Sequence, residues 1–238
     1  MFSTIWTPIV DASSIHHAAL LGWRAVEAQH IVSTMLLADS MEEQGILETI
    51  LESSKPPIPM EAAALHWLLF TPFRYPPLAA GSRFRAPYDP GVFYAANERR
   101  TACAELGYWR WRFLMDSELD SIEPRQQTVF QSDVQGSCID LRVPPYLAER
   151  EKWIRDTDYT PCQAIAREAR SHDVQMMRYE SIRDPKRGAC VAVLSPAAFL
   201  TPQPVNSETW NLHVTRTKVI WREDTIFSSA SFEFPMEA

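Results

Sequence analysis

Apolar residues recur at helical spacing over 41–54. Ile46, Leu47, Ile50 and Leu51 fall at i, i+1, i+4 and i+5, which gathers them on one helix face expected to be buried. Lys55-Pro56-Pro57-Ile58-Pro59 stops that helix near Ser54, because proline brings no N–H and clashes with the preceding turn. A second, Ala- and Leu-rich helix is expected over about 61–70, so that the first 70 residues read as helical. The pattern then changes. Pro72, Pro76, Pro77, Pro87 and Pro90, with two glycines, mark loops and short extended pieces. Val92-Phe93-Tyr94 reads as a strand. Asn97 reads as the cap of a helix over 98–116, with Ala102, Leu106, Trp109 and Phe113 as its buried stripe.

Beyond this helix, strand patterns dominate. Strands are expected at 127–131, 137–143, 176–179, 189–194, 210–216 and 218–222. Pro161 opens a helix to about Ser171, with Thr160 as its cap. No internal repeat or low-complexity tract interrupts the series. The order predicts an α+β fold: a helical N-terminal extension over 1–70, packed on a core over 71–238. The extension is expected to pack because its apolar face needs burial and the proline step joining it is short and stiff.

Composition adds boundaries rather than detail. Hydrophobic residues make up 46% and charged residues 22% of the 238, enough for a sizeable core. A formal net charge of −7 argues against a nucleic-acid binder, though not against a local basic site. Cys103, Cys138, Cys162 and Cys190 form no CxxC pair and no Cys/His cluster of zinc spacing, so free buried thiols and no metal are expected. The start, MFSTIWTPIVDASS, lacks the charged and apolar regions of a secretory signal, and no apolar run is long enough for a membrane span. A cytoplasmic protein is expected. No GxGxxG, Walker A, HExxH or G-x-S-x-G motif is present, and His16-His17 reads as surface.

Chemistry concentrates between Arg74 and Arg112. Seven arginines (Arg74, Arg83, Arg85, Arg99, Arg100, Arg110, Arg112) accompany only three acids (Asp89, Glu98, Glu105). A basic stretch in an acidic chain points to an anionic ligand, and the planar arginine fork matches a phosphate. Arg99, Arg100 and Arg110 read rather as surface arginines on a helix. Glu105 sits among Ala102, Cys103, Ala104 and Leu106, where a carboxylate is partly buried and needs a bonded partner; the alternative is an exposed helix glutamate. Downstream, a strand ends in a turn carrying Ser181 and Arg183, a position suited to ligand contacts or to a local serine turn. Asp184-Pro185-Lys186-Arg187-Gly188 reads as a plain hairpin turn.

Taken in order, Gly81-Ser82-Arg83-Phe84, Val92-Phe93-Tyr94-Ala95-Ala96 and Thr101-Ala102-Cys103-Ala104-Glu105 resemble the first half of the RES domain, named for its Arg, Glu and Ser. Arg178-Tyr179-Glu180-Ser181-Ile182-Arg183-Asp184-Pro185, followed by the apolar strand 189–194, resembles its second half. Trp23-Arg24-Ala25-Val26-Glu27-Ala28-Gln29-His30 is similar to the extension of longer members, so the resemblance runs from about Trp23 to Phe227. It implies a fold like the diphtheria-toxin kind of ADP-ribosyltransferase, with NAD⁺ as substrate. The implied activity is NAD⁺ degradation, phosphorolysis included, or ADP-ribosylation of a protein target. The implied partner is an antitoxin with a helix-turn-helix portion that blocks the NAD⁺ pocket. By motif, Arg83, Glu105 and Ser181 match the family's arginine, glutamate and serine, and Tyr94 a pocket-lining tyrosine. Arg74, in Phe73-Arg74-Tyr75-Pro76-Pro77, competes with Arg83 for the phosphate role. An inactive member that binds a nucleotide or a partner is the alternative.

Overall fold

Twenty consecutive residues, Ser121–Asp140, form one strand (β3), and the rest of the sheet is arranged around it. From Phe130 to Cys138 every second residue is buried, the period expected of a strand with one covered face. The computed structural model describes residues 9–28, 37–77, 79, 81–226 and 230–237. Its other strands are β1 (His16–Glu27), β2 (Phe93–Ala96), β4 (Met176–Glu180), β5 (Ala189–Val193), β6 (Asn206–Thr215), β7 (Lys218–Glu223) and β8 (Ser231–Pro235). The sheet order is β1-β2-β5-β4-β3-β6-β7-β8, and β1 also pairs with β3. Strands β1, β2, β5, β4 and β3 therefore close a circuit of pairings, from which β6, β7 and β8 extend. All pairs are antiparallel except β3 with β4. With helices α1 (Met41–Ser54), α2 (Trp67–Arg74), α3 (Arg99–Met115) and α4 (Thr160–Ser171), the class is α+β, as the sequence predicts.

Two apolar clusters hold these layers. The larger contains Phe84, Trp111, Ile165, Trp210 and Trp221; the smaller gathers Leu69 and Phe73 of α2 with Phe93, Phe130 and Met176. Helix α3 lies close to β7 because Gly107 allows it: a Cβ there would stand 2.8 Å from a Val219 methyl. All four cysteines are free and buried. Among the described residues no helix is long and apolar enough to cross a membrane.

The N-terminal expectation needs correction. Residues 16–27 are not helical; they form β1, paired residue by residue with Gln127–Cys138 and thus part of the same sheet as the rest. Ala18, Ala19, Leu20 and Leu21 favour helix locally, but the ladder to β3 satisfies their backbone groups and overrides that preference. Helix α1 forms where expected, yet its apolar face is open: Ile46 is 55% and Ile50 59% exposed, and Gln44 is its one buried residue. Local bonds shape it instead. Ser40 Oγ accepts from Glu43 N, and the Glu43 carboxylate accepts from Asp39 N, a reciprocal cap. The helix expected over 61–70 is a short turn at Met60–Ala62 followed by α2. Helix α3 starts after Glu98, because the Asn97 N–H donates to Ala189 O and prolongs the sheet. On α3 the buried residues include Ala102 and Trp111, whereas Trp109 and Phe113 are exposed. Residues 29–36, expected helical, lie outside the described residues, as do Gln29, His30 and Phe227 of the family-like stretch.

Candidate active site

Strands β1 and β2 share a single registered pair, Trp23 with Ala96. Beside it lies a cleft of about 360 Å³, walled by β1, β2 and the middle of α3. That volume is in the range of small-molecule sites. Among the described residues Glu105 is the one carboxylate in its lining, and Arg24, Arg83 and Arg183 are its cations.

Glu105 occupies the second turn of α3 with its side chain toward the cleft. Ser181 Oγ donates to Glu105 Oε1 at 2.5 Å. Ser181 itself is fully buried, and its Oγ accepts the N–H of Arg183 at 3.2 Å and of Asp184 at 3.0 Å. The turn after β4 thus aims one hydroxyl hydrogen at one carboxylate oxygen. Burial pushes the Glu105 carboxyl above the usual glutamate range, while the Ser181 bond and the charges of Arg83 and Arg183 pull it back.

Arg83 rides on a tied loop. Gly81 adopts φ +70°, and the Ser82 N–H donates to Arg85 O at 2.7 Å. Tyr94 of β2 bonds Ser82 Oγ at 2.7 Å and accepts from Phe84 N at 2.9 Å. The guanidinium of Arg83 donates to the carbonyls of Trp153 at 2.8 Å and Arg155 at 3.1 Å, and lies 4.8 Å from the Tyr159 ring. Arg24 donates to Tyr94 O at 2.8 Å and stands 4.8 Å over the Phe93 ring. Its Nε is buried with no hydrogen-bond partner, and burial lowers its pKa to about 10. Among the described residues neither Arg24 nor Arg83 makes an ion pair. Arg183 differs: it pairs with Asp156, and its guanidinium sits 3.6 Å over the Tyr108 ring.

Arg83, Tyr94 and Glu105, distant in sequence, meet in this cleft, and Ser181 lies directly behind Glu105. Two expectations change, those for Ser181 and Arg74, whereas Tyr94 lines the cleft as expected. Ser181 is not in the cleft lining; its hydroxyl is directed at Glu105. The Tyr94 hydroxyl is occupied by the Ser82–Phe84 loop. Arg74 is elsewhere, its Nε donating to Pro56 O at 2.6 Å and its Nη1 paired with Glu52 at 2.7 Å, where it fastens α1. Arg99, Arg100 and Arg110 are each paired, with Glu208, Asp184 and Glu27. The Asp184 turn is more than a hairpin: its carboxylate is buried and accepts from Arg100 and from Thr101 Oγ1.

Sequence reasoning missed Arg24, Trp109 and Tyr159 as lining residues, while Arg183 lines the cleft from the turn where ligand contacts were expected. For Arg24 a signal existed. Read as a strand, Trp23-Arg24-Ala25-Val26-Glu27 puts Arg24 and its nearest acid, Glu27, on opposite faces, which leaves the cation without a neighbour to neutralise it. Among the described residues no cluster of three or more His, Cys, Asp or Glu is placed to hold a metal ion.

Comparison with curated proteins finds no match. Among solved structures, the chain is similar to a chain of the M. tuberculosis MbcT–MbcA toxin–antitoxin complex. The likeness covers 85% of this chain and 87% of that one, at 14% identity and a TM-score of 0.48. A model of the RES domain matches residues 58–215. That span starts after Arg24, yet it contains Arg83, Tyr94 and Glu105 of the cleft and Ser181 behind it, and it takes in most of the sequence. The chain belongs to the RES-domain family.

Proposed function

We propose that this protein cleaves the nicotinamide–ribose bond of NAD⁺, as a toxin neutralised by a cognate antitoxin. The observation that carries the reading is a cleft with a single carboxylate, Glu105, held by Ser181 and facing cations. Most glycosidic bonds need a pair of carboxyl groups, one of which protonates the leaving group. The nicotinamide of NAD⁺ is already cationic, so it leaves without a proton and one carboxylate suffices. Glu105 hydrogen-bonds the ribose and stabilises positive charge as it develops on the sugar. Ser181 is a positioning residue: it fixes one carboxylate oxygen and leaves the other for substrate. Arg24 and Arg83, which lack carboxylate partners, take the diphosphate through charge-assisted bonds. Tyr94 holds the loop that presents Arg83.

The acceptor is phosphate, water or a protein side chain, and the cationic walls favour phosphate. An antitoxin with a helix-turn-helix portion acts by covering the cleft. Incubation of the protein with NAD⁺, with and without inorganic phosphate, tests the reading through released nicotinamide. Release that rises with phosphate and yields phosphorylated ADP-ribose is the expected result. Folded protein that releases no nicotinamide with phosphate, water or a protein acceptor present would overturn it.

A further inference from the structure

Trp109 is out of keeping with its position as a core residue. It is 52% exposed, yet its indole lines the cleft one helical turn beyond Glu105. Four residues of α-helix rise about 6 Å, so the two side chains stand side by side on one face. Neighbours fix the indole. Tyr108 meets it edge to face at 5.4 Å, and the Arg183 guanidinium, anchored by Asp156, lies 5.7 Å from its ring. What is left is a large apolar surface, open to the cleft, beside the carboxylate.

We propose that Trp109 is the platform on which the nicotinamide ring of the dinucleotide stacks. The inference rests on the NAD⁺ reading above. If Glu105 engages the ribose, the ring bonded to that ribose falls within reach of the residue one turn along α3. The adenine lies beyond the diphosphate, on the far side from Glu105. The ring is also a cation, and tryptophan is the aromatic side chain that holds a cation best. Cleavage changes this. The C–N bond electrons pass to the ring nitrogen, the ring becomes neutral, and the positive charge moves to the ribose beside Glu105 until the acceptor bonds there. Trp109 therefore grips the substrate more strongly than the departing nicotinamide. Its contribution is to recognition of the oxidised ring and to release of the product, while Glu105 serves the transition state.

Calorimetry on Glu105→Gln protein, in which turnover is suppressed, separates the alternatives. NAD⁺ and ADP-ribose are the ligands; the second keeps the adenine, both riboses and both phosphates but has no nicotinamide. Trp109→Ala is expected to weaken NAD⁺ about tenfold and ADP-ribose less than about twofold, and Trp109→Phe to recover part of the loss. In the active protein the same substitution is expected to raise KM without a parallel fall in kcat. Because Trp109 is half exposed, its removal leaves no cavity, and a thermal melt checks folding. Equal losses for both ligands would place the adenine, or a structural role, at Trp109 and overturn the proposal. So would no loss for either. A protein with Trp109 intact that binds ADP-ribose but not NAD⁺ also overturns it, whereas one that binds neither ligand removes the NAD⁺ reading itself.

Discussion

The arginines at the outer positions of α3 and those of the cleft are treated in opposite ways. Arg99 meets Glu208 at 2.6 Å, Arg110 meets Glu27 at 2.5 Å, and Arg100 meets the buried Asp184. Arg24 and Arg83 meet carbonyl oxygens and aromatic faces. Both environments hold a guanidinium still. A carboxylate also cancels its charge, and a carbonyl or a ring does not. In a chain of net charge −7, with acids to spare, two partly buried cations without anions are a built feature of the cleft. Among the described residues no carboxylate cancels their charge, and the proposed function gives that charge the diphosphate to meet.

The sharpest way to break this contrast is at its paired side. Asp184→Ala strands Arg100 and Thr101, and losing one partner of a buried pair costs about 3–5 kcal/mol. Denaturant unfolding measures it, and a loss below about 1 kcal/mol would show that the outer pairs are decoration. Next comes Glu105→Gln. It keeps the shape of the site and removes the charge, which is expected to slow nicotinamide release about 10²–10³-fold with little change in NAD⁺ affinity. Release at the parent rate would reduce Glu105 to an ordinary helix residue.

The unpaired side predicts the reverse balance of stability and binding. Arg24→Met fills similar volume and removes a buried cation with an unbonded Nε. Its melting temperature is expected to stay at or above the parent's, while NAD⁺ affinity falls about 10- to 100-fold with the loss of a charge-assisted bond. A destabilised protein with unchanged affinity would mean that Arg24 is structural. The smallest effect concerns pH. In the proposed reaction Glu105 acts as a carboxylate, and burial holds its pKa above the ordinary value, so activity is expected to fall as pH drops through that raised value. Ser181 donates to the ionised form. Ser181→Ala removes that support, raises the pKa further and is expected to move the acid limb of the rate profile up by about one pH unit. An unmoved limb would separate Ser181 from the carboxylate.

How much of this was legible beforehand depends on the range of the interaction involved. Helices α1, α3 and α4 were legible in place, but of the three only α1 has a side-chain cap: α3 is capped by Glu98 rather than Asn97 and α4 by Tyr159 rather than Thr160, each without a side-chain bond. Arg83, Tyr94 and Glu105 were legible through motif order. Strand β1 was not, because Ala18-Ala19-Leu20-Leu21 has no local preference for a strand and gains one only from β3. Arg24 was lost with it. The burial of α3 was misread at Trp109 and Phe113 for a related reason: periodicity finds apolar positions, but whether a sheet or an open cleft faces them is decided by the topology. Ser181 was named by motif, but its bond to Glu105 was likewise invisible, since the two residues lie far apart along the chain.

The pairing of β1 with β3 also sets an order of events during synthesis. Arg24 finds its place only opposite Phe130, and Trp23 only opposite Gln131 and Ala96. The wall of the cleft made by β1 is therefore completed only after β3 has been made, later than helix α3. Such long-range closure is slow compared with helix formation. The nascent protein passes through a period in which Glu105 already sits on its helix but the cleft has no wall to hold a substrate. Pulsed hydrogen exchange during refolding should show this as protection of 98–115 before 16–27, and the opposite order would refute it.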